Sequence, residues 1–136
     1  MLLIDNSAWA RWRKPLVGER LVAAIEAREL VICLPFLLEA GYSARSGADH
    51  DTLLSDLSLL PRVEIGPEIE RLALRAQSEL AAVGHHRLSP SDLIVAACAH
   101  HSGHGVLHYD RDYDVIARNT SLEFASEWVS PAGSLN

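Results

Sequence analysis

The chain has 136 residues and a formal net charge of −6, and 49% of its residues are hydrophobic. This length suits one compact domain, so we predict a single domain over residues 1–136. No apolar run approaches the ~20 residues that a membrane-spanning helix needs, and the first residues lack the basic region of a secretory signal. Both cysteines lie in apolar runs, which is typical of buried thiols in a reducing compartment. We therefore expect a cytoplasmic protein without a membrane partner.

Short apolar runs alternate with longer amphipathic segments, which is typical of an α/β protein with a parallel sheet. The predicted strands are residues 2–4, 30–34, 63–65, 105–108 and 122–124. The predicted helices are residues 17–29, 35–46, 49–60, 67–83, 93–101 and 112–119. The tail, residues 126–136, is small and polar, so we expect it to be loose.

Acidic residues follow the predicted strands or open buried helices at several points. Asp5 ends the first strand, and Glu39 lies one turn into the helix after the second strand. Asp92 begins the most apolar helix, while Asp110 and Asp112 follow the fourth strand. Open parallel sheets place their sites at the carboxyl ends of the strands. If the first and fourth strands are central neighbours, these acids converge on one cleft.

The chemistry of such a cluster points to a metal ion. Crowded carboxylates repel one another unless a cation lies between them. A site made of oxygen ligands, without His or Cys, selects Mg²⁺ or Mn²⁺. Such ions activate water for the cleavage of phosphodiester bonds. The acids therefore predict a metal-dependent hydrolase.

Each acid also has a purely structural explanation. Asp92 could complete a capping box with Ser89, and Asp110 could cap the short helix after it. Asp5 could end its strand in a turn. Glu39 is hardest to explain in this way, because a single acid among apolar neighbours must reach solvent or find a partner.

Four segments of the chain form an ordered set. They are Leu3-Ile4-Asp5-Asn6-Ser7, the isolated Glu39, Ser89-Pro90-Ser91-Asp92 and His108-Tyr109-Asp110-Arg111-Asp112-Tyr113. In order, spacing and total length this set resembles the PIN-domain ribonucleases and, more narrowly, the VapC-type toxins of bacterial toxin–antitoxin operons. No single motif is specific, but the ordered set is, and it covers nearly the whole chain.

The resemblance implies a three-layer α/β/α fold with a five-stranded parallel sheet. It also implies an endoribonuclease that uses Mg²⁺ or Mn²⁺ to cleave structured RNA, such as a loop of transfer or ribosomal RNA, and thereby inhibits translation. It assigns the catalytic and metal-binding roles to Asp5, Glu39, Asp92 and Asp110, with Asp112 as an accessory metal ligand.

Further residues acquire roles from the same resemblance. Ser7 matches a position whose hydroxyl supports the first acid or the phosphate. His108 stands where the family often has Thr, so it either orients Asp110 or packs beside it. Asp114, a third acid in that loop, is expected to be solvated. By position, the candidate phosphate contacts are Arg11, Arg13, Lys14 and Arg111.

Family membership would also imply partners, and it would explain how a chain of net negative charge can bind RNA. The partners are a VapB-like antitoxin that blocks the active site, an RNA substrate and a second copy of the chain in a homodimer. The five site acids account for most of the net negative charge, and divalent cations would neutralise much of that cluster.

Other classes of protein explain the sequence less well. Haloacid-dehalogenase-type phosphatases and receiver domains also place an Asp after the first strand, but they need a later lysine, and Lys14 comes too early. The histidines at 85, 86, 100 and 104 could form a zinc site, but no acid or cysteine completes a known spacing. Two alternatives stay open: a catalytically inactive PIN-like module that binds RNA or protein, and a housekeeping nuclease for RNA maturation.

Overall fold

The computed structural model of the protein describes residues 1–135. The strands in this range are β1 (Leu2–Ile4), β2 (Leu30–Val31), β3 (Gly105–His108) and β4 (Ser126–Trp128). The helices are α1 (Asn6–Trp9), α2 (Pro15–Glu26), α3 (Leu34–Tyr42), α4 (Gly47–Leu57), α5 (Pro67–Ala82), α6 (Pro90–Ser102) and α7 (Asp112–Asn119). The α/β class is confirmed.

The four strands form one parallel sheet in the order β2-β1-β3-β4. From β1 the chain moves outward to β2, and it then crosses back over β1 to reach β3. With right-handed crossovers, this reversal puts α2 on one face of the sheet and α3 to α7 on the other. The reversal point lies between β1 and β3, and in such sheets the crevice at the carboxyl ends of these strands is where ligands bind.

The core lies on both faces of the central strands. Leu3 and Ile4 of β1 and Leu107 of β3 are 0% exposed, as expected for strands covered by helices on both sides. Helix α6 is buried along most of its length, and its buried residues include the small Ala96, Ala97 and Ala99. Cys33 and Cys98 are buried free thiols. Among the described residues no helix has the length and apolar character to cross a membrane.

The predicted strand at residues 63–65 is wrong, so the sheet has four strands in the described range rather than five. That segment contributes only an isolated parallel bridge between Ile32 and Arg62. The amides of Ile32 and Val63 make the two hydrogen bonds around it. Pro61 has no N–H to extend the pairing on one side, and Pro67 begins α5 shortly after it.

The end of the sheet also differs from the prediction. Residues 122–124 are not a strand, because the chain before them is tied to α5 by two hydrogen bonds from Ser121 to Glu79. The chain enters the sheet only at Ser126, inside the tail that was expected to be loose. Beyond β4, both backbone groups of Leu135 bond to the Tyr109 hydroxyl. The loose-tail prediction is therefore wrong for these residues, and its last residue, 136, lies outside the described range.

Replacing Leu107 by Ala should destabilise the chain by about 2–5 kcal/mol, because the fully buried side chain would leave a cavity between sheet and helices. Leu59→Ala is the matched control, since Leu59 is 86% exposed and its loss should change stability by less than about 0.5 kcal/mol. Urea denaturation followed by circular dichroism measures both. Equal effects of the two substitutions would contradict this description of the core.

Candidate functional site

Three of the acids meet at the carboxyl end of the central strands. Asp5 follows β1 directly, and its N–H extends the ladder by donating to the Leu107 carbonyl. Asp110 lies two residues beyond β3, and Asp92 lies in the first turn of α6, which packs on this part of the sheet. Asp5 and Asp92 are only 5% and 6% exposed. The predicted adjacency of β1 and β3 thus brings these acids to one edge.

A tyrosine hydroxyl lies between the two buried carboxylates. The Oη of Tyr113 is 2.6 Å from Asp5 Oδ1 and 3.2 Å from Asp92 Oδ1. Burial, together with both carboxylate charges, raises the pKa of this phenol well above its ordinary value, so it keeps its proton. A phenol has one proton, which the shorter contact directs to Asp5.

The environment of Asp92 favours its neutral form. Burial, followed by the charges of Asp5 and Asp110, raises the pKa of the Asp92 carboxyl to about 7. In its protonated form Asp92 can donate to the Tyr113 oxygen, which completes a series of two hydrogen bonds that ends on Asp5 Oδ1. The buried pair therefore holds a proton that it would release on binding a cation.

Asp92, Asp110 and Asp112 form a cluster that fits a metal ion. One carboxylate oxygen from each lies within 4.8 Å of the other two. Burial and the charge of Asp110 also raise the pKa of Asp112, although Arg111 opposes the shift, as expected for a carboxylate crowded by another. An oxygen-only donor set of this kind suits a hard divalent cation.

Asp5 and Asp110 also have structural roles. Asp5 ends β1 and caps α1 by accepting the Ser7 N–H. The cap residue of α7 is Arg111 rather than Asp110, and Asp110 accepts the Asp112 N–H at 2.9 Å. The capping box predicted for Asp92 is absent: the side chain of Ser89 makes no cap hydrogen bond, and the Asp92 side chain bonds to Tyr113 instead.

Ser7 lies directly against the first acid. Its Oγ donates to Asp5 Oδ2 at 2.5 Å and accepts the Tyr109 N–H at 2.9 Å. Because the hydroxyl has a single proton and donates it to Asp5, it has none left to donate to another group. Of the two roles predicted for Ser7, this geometry favours support of the acid over contact with a phosphate.

Glu39 stands apart from the other acids. It is half-buried on α3 and lines an open cleft of about 510 Å³ together with Asn6 and Ser91. These two residues are the chain neighbours of Asp5 and Asp92, although Asp5 and Asp92 themselves do not line the cleft. Glu39 is not part of the three-acid cluster among the described residues.

The side chains predicted to contact phosphate differ in their partners and in their exposure. Arg11 donates to the Ser7 carbonyl at 2.6 Å, and its guanidinium stacks 4.7 Å from the centre of the Tyr109 ring, so it is held beside the site. Arg111 is exposed next to Asp110, and Lys14 is exposed before α2. Arg13 stacks on Trp12 instead.

Several residues of the site were missed by the sequence analysis. Tyr113 could have been noticed, because helical spacing puts it on the buried face of α7 with Ile116. Asp114 was predicted to be solvated, but it accepts hydrogen bonds from Ser126 and Trp128. Ser126 and Trp128 were missed because the strand that contains them was not predicted, and no local pattern singles them out.

His108 bonds to the Asp110 backbone as well as packing close to the site. It is fully buried, and its Nδ1 accepts the Asp110 N–H at 3.1 Å. Burial, opposed by the surrounding carboxylates, lowers the pKa of the His108 imidazole, so the ring is neutral near pH 7. The ring also packs on Tyr113 at 4.8 Å between centroids.

The zinc alternative has no support. Over residues 1–135, the three-acid cluster is the only group of three His, Cys, Asp or Glu side chains close enough to share an ion. His100 instead accepts the Glu123 N–H through its Nδ1.

Comparison with known proteins agrees with this geometry. The model of the PIN domain family matches residues 2–119. Ribonuclease VapC18 of Mycobacterium tuberculosis is 41% identical over 135 residues, which cover 97% of each chain. Ribonuclease VapC51 of the same organism is 34% identical over 134 residues, covering 98% of this chain and 96% of the relative.

Two solved structures share the fold at low identity. One is VapBC2 from Rickettsia felis bound to a DNA fragment from its promoter, with a TM-score of 0.72, 13% identity, and coverage of 93% of this chain and 98% of the other. The other is FitAcB from Neisseria gonorrhoeae, with a TM-score of 0.63, 16% identity, and coverage of 88% and 95%.

Asp92→Asn should change how stability depends on pH. Between about pH 4 and about pH 7 the folded chain keeps a proton on Asp92 that the unfolded chain releases. The free energy of unfolding of the native chain therefore falls as the pH rises through this range. The variant cannot ionise at this position, so its curve should be flatter, and at pH 8 it should be more stable than the native chain by up to a few kcal/mol.

Urea denaturation in EDTA from pH 4 to 8 measures this, because the chelator removes cations that would mask the carboxylate repulsion. Parallel curves for the two proteins would show that Asp92 has an ordinary pKa.

Proposed function

The chain belongs to the PIN domain family, and on this basis we propose that it is a metal-dependent endoribonuclease that acts as the toxin of a toxin–antitoxin pair. The observation that carries the proposal is the group of buried and half-buried carboxylates at the carboxyl edge of β1 and β3. Such a cluster costs stability unless a cation binds it. Relatives that match nearly the whole chain are named ribonucleases.

The cation is Mg²⁺ or Mn²⁺, because the donors are carboxylate oxygens. Asp92, Asp110 and Asp112 would hold it, with Asp5 beside them on the far side of the Tyr113 hydroxyl. When bound, such an ion supplies an activated water and stabilises the charge that develops on the phosphate.

The protein's own groups would prepare the site for this chemistry. Ser7 and Tyr113 fix the two oxygens of Asp5, and the Asp110 carboxylate is fixed by the Asp112 N–H. Glu39 faces the open cleft, where it would position water or a second cation against the substrate backbone. Arg11 and Arg111, beside the carboxylates, would bind the phosphates that flank the cut.

The shape of the site favours RNA that is not a regular duplex. Glu39 lines an open cleft together with the chain neighbours of Asp5 and Asp92, and a loop whose backbone can be splayed out reaches such a cleft better than a helix does. We therefore propose a loop of structured RNA, such as transfer or ribosomal RNA, as the substrate. Its cleavage would inhibit translation in the cytoplasm.

The partner that controls the site would be a VapB-like antitoxin. The similar solved structures are described as VapBC and FitAB assemblies. In this chain the cleft beside Glu39 is walled by Leu34, Leu38 and Tyr42, which are 40%, 65% and 92% exposed. An amphipathic segment could cover these side chains and insert a basic residue among the carboxylates. We also propose that the chain forms a homodimer.

Expression of the native chain from an inducible promoter should arrest growth and produce discrete RNA fragments. Asp92→Asn and Asp110→Asn should each abolish both effects, because each removes a carboxylate from the cluster. Asp51→Asn is the control, since its side chain is 88% exposed and it should remain fully toxic.

Purified protein distinguishes the alternatives. Cleavage of total RNA should require added Mg²⁺ or Mn²⁺ and stop in EDTA, and the fragment ends identify the RNA. If folded native protein neither cleaves RNA nor arrests growth, an inactive binding module explains the chain better. Accurate processing of precursor RNA without toxicity would instead indicate a housekeeping nuclease.

A further inference from the structure

A chain of hydrogen bonds links the Asp110 backbone to the last strand of the sheet. The Asp110 N–H points to His108 Nδ1 at 3.1 Å, and His108 Nε2 is 2.7 Å from Ser126 Oγ. The Ser126 hydroxyl lies 2.6 Å from Asp114 Oδ1, and the indole N–H of Trp128 is 3.0 Å from Asp114 Oδ2. This series of hydrogen bonds thus joins the end of β3, the first turn of α7 and β4.

Each proton in this chain has one allowed direction. The Asp110 N–H can only donate, so His108 Nδ1 accepts it and the ring proton lies on Nε2. His108 Nε2 therefore donates to Ser126 Oγ, and Ser126 gives its own proton to Asp114 Oδ1.

We propose that Asp114 is a positioning residue: by holding the Ser126 proton it keeps Ser126 from reversing the His108 tautomer that the Asp110 N–H requires, and thereby holds the Asp110 backbone in the geometry that binds the cation. The inference rests on the proposed function in one respect, namely that Asp110 is a metal ligand. The tautomer itself can be tested without metal, RNA or activity.

The matched variant is Asp114→Asn, which keeps the shape of the side chain. The indole N–H of Trp128 can only donate, so the amide oxygen of Asn would face it and the NH₂ group would face Ser126. Ser126 would lose the acceptor of its proton, and we expect it to donate to His108 Nε2 instead, which places the ring proton on Nδ1. Two donors would meet at Asp110, and its backbone would be displaced.

Two further variants separate this effect from a loss of packing. Ser126→Ala removes the hydroxyl without reversing it, so the Asp110 N–H still selects the Nε2–H tautomer. Trp128→Phe, added to Asp114→Asn, frees the amide to turn its oxygen toward Ser126, so this second substitution should restore the original tautomer. If Asp114 had a purely structural role, the double variant should be less stable than the single variant and should not regain the original tautomer.

The first experiment is ¹⁵N nuclear magnetic resonance of the histidine side chains in EDTA, since the two nitrogens of a neutral ring give distinct signals. The native chain, Ser126→Ala and the double variant should show His108 with the proton on Nε2, whereas Asp114→Asn should show it on Nδ1. A proton on Nδ1 in the native chain would overturn the proposal, even if no variant folds. An unchanged tautomer in folded Asp114→Asn would also overturn it.

The second experiment measures Mn²⁺ binding by calorimetry, with Asp51→Asn as a control for the lost charge. Asp114→Asn should weaken binding by about tenfold or more, in the range found for residues that orient metal ligands. The double variant should recover most of that loss, and Asp51→Asn should match the native chain. A reversed tautomer with unchanged Mn²⁺ affinity would overturn the link to Asp110. If the native chain binds Mn²⁺ but cleaves no RNA, the proposed function fails and the positioning role stands.

Discussion

The Tyr113 hydroxyl between the buried carboxylates of Asp5 and Asp92 is the contact on which the site depends. Two carboxylates so close together and so well shielded from water would repel each other strongly. A single phenolic proton, with a second proton on Asp92, lets the pair stay buried. The fold therefore tolerates a cluster that is ready for a cation, because exchange of the Asp92 proton for a metal ion replaces one source of positive charge by another.

The rest of the architecture supports this contact from three directions. The parallel pairing of β1 with β3 brings Asp5 and the Asp110 loop side by side, and the small residues of α6 let Asp92 approach them. Helix α7 supplies Tyr113 from its buried face and also supplies Asp114, which accepts hydrogen bonds from Ser126 and Trp128 of β4. Because these groups come from separate elements, the site exists only when β1, β3, β4, α6 and α7 have come together.

Several acids have a structural and a chemical role together. Asp5 caps α1 and Asp110 accepts the backbone N–H of Asp112, yet both also face the cluster. A carboxylate has about four lone-pair positions, so one hydrogen bond to the backbone leaves others for a cation. Such caps also fix the direction of the carboxylate before a ligand arrives, which lowers the entropy lost on binding.

The sequence alone determined the α/β class, and it singled out Asp5, Asp92, Asp110 and Asp112 as candidate site residues that would converge if the first and fourth predicted strands were neighbours. Those features follow from local patterns: apolar runs, helix starts, and acids at strand ends.

Tertiary structure decided what depends on pairing across the chain. The strand at 126–128 was missed because its side chains are held by hydrogen bonds to Asp114 rather than by apolar burial. The segment at 63–65 looked like a strand but lies where Pro61 and Pro67 limit pairing to a single bridge. The bridging role of Tyr113 and the tautomer of His108 likewise depend on distances between residues far apart in sequence, which no local pattern encodes.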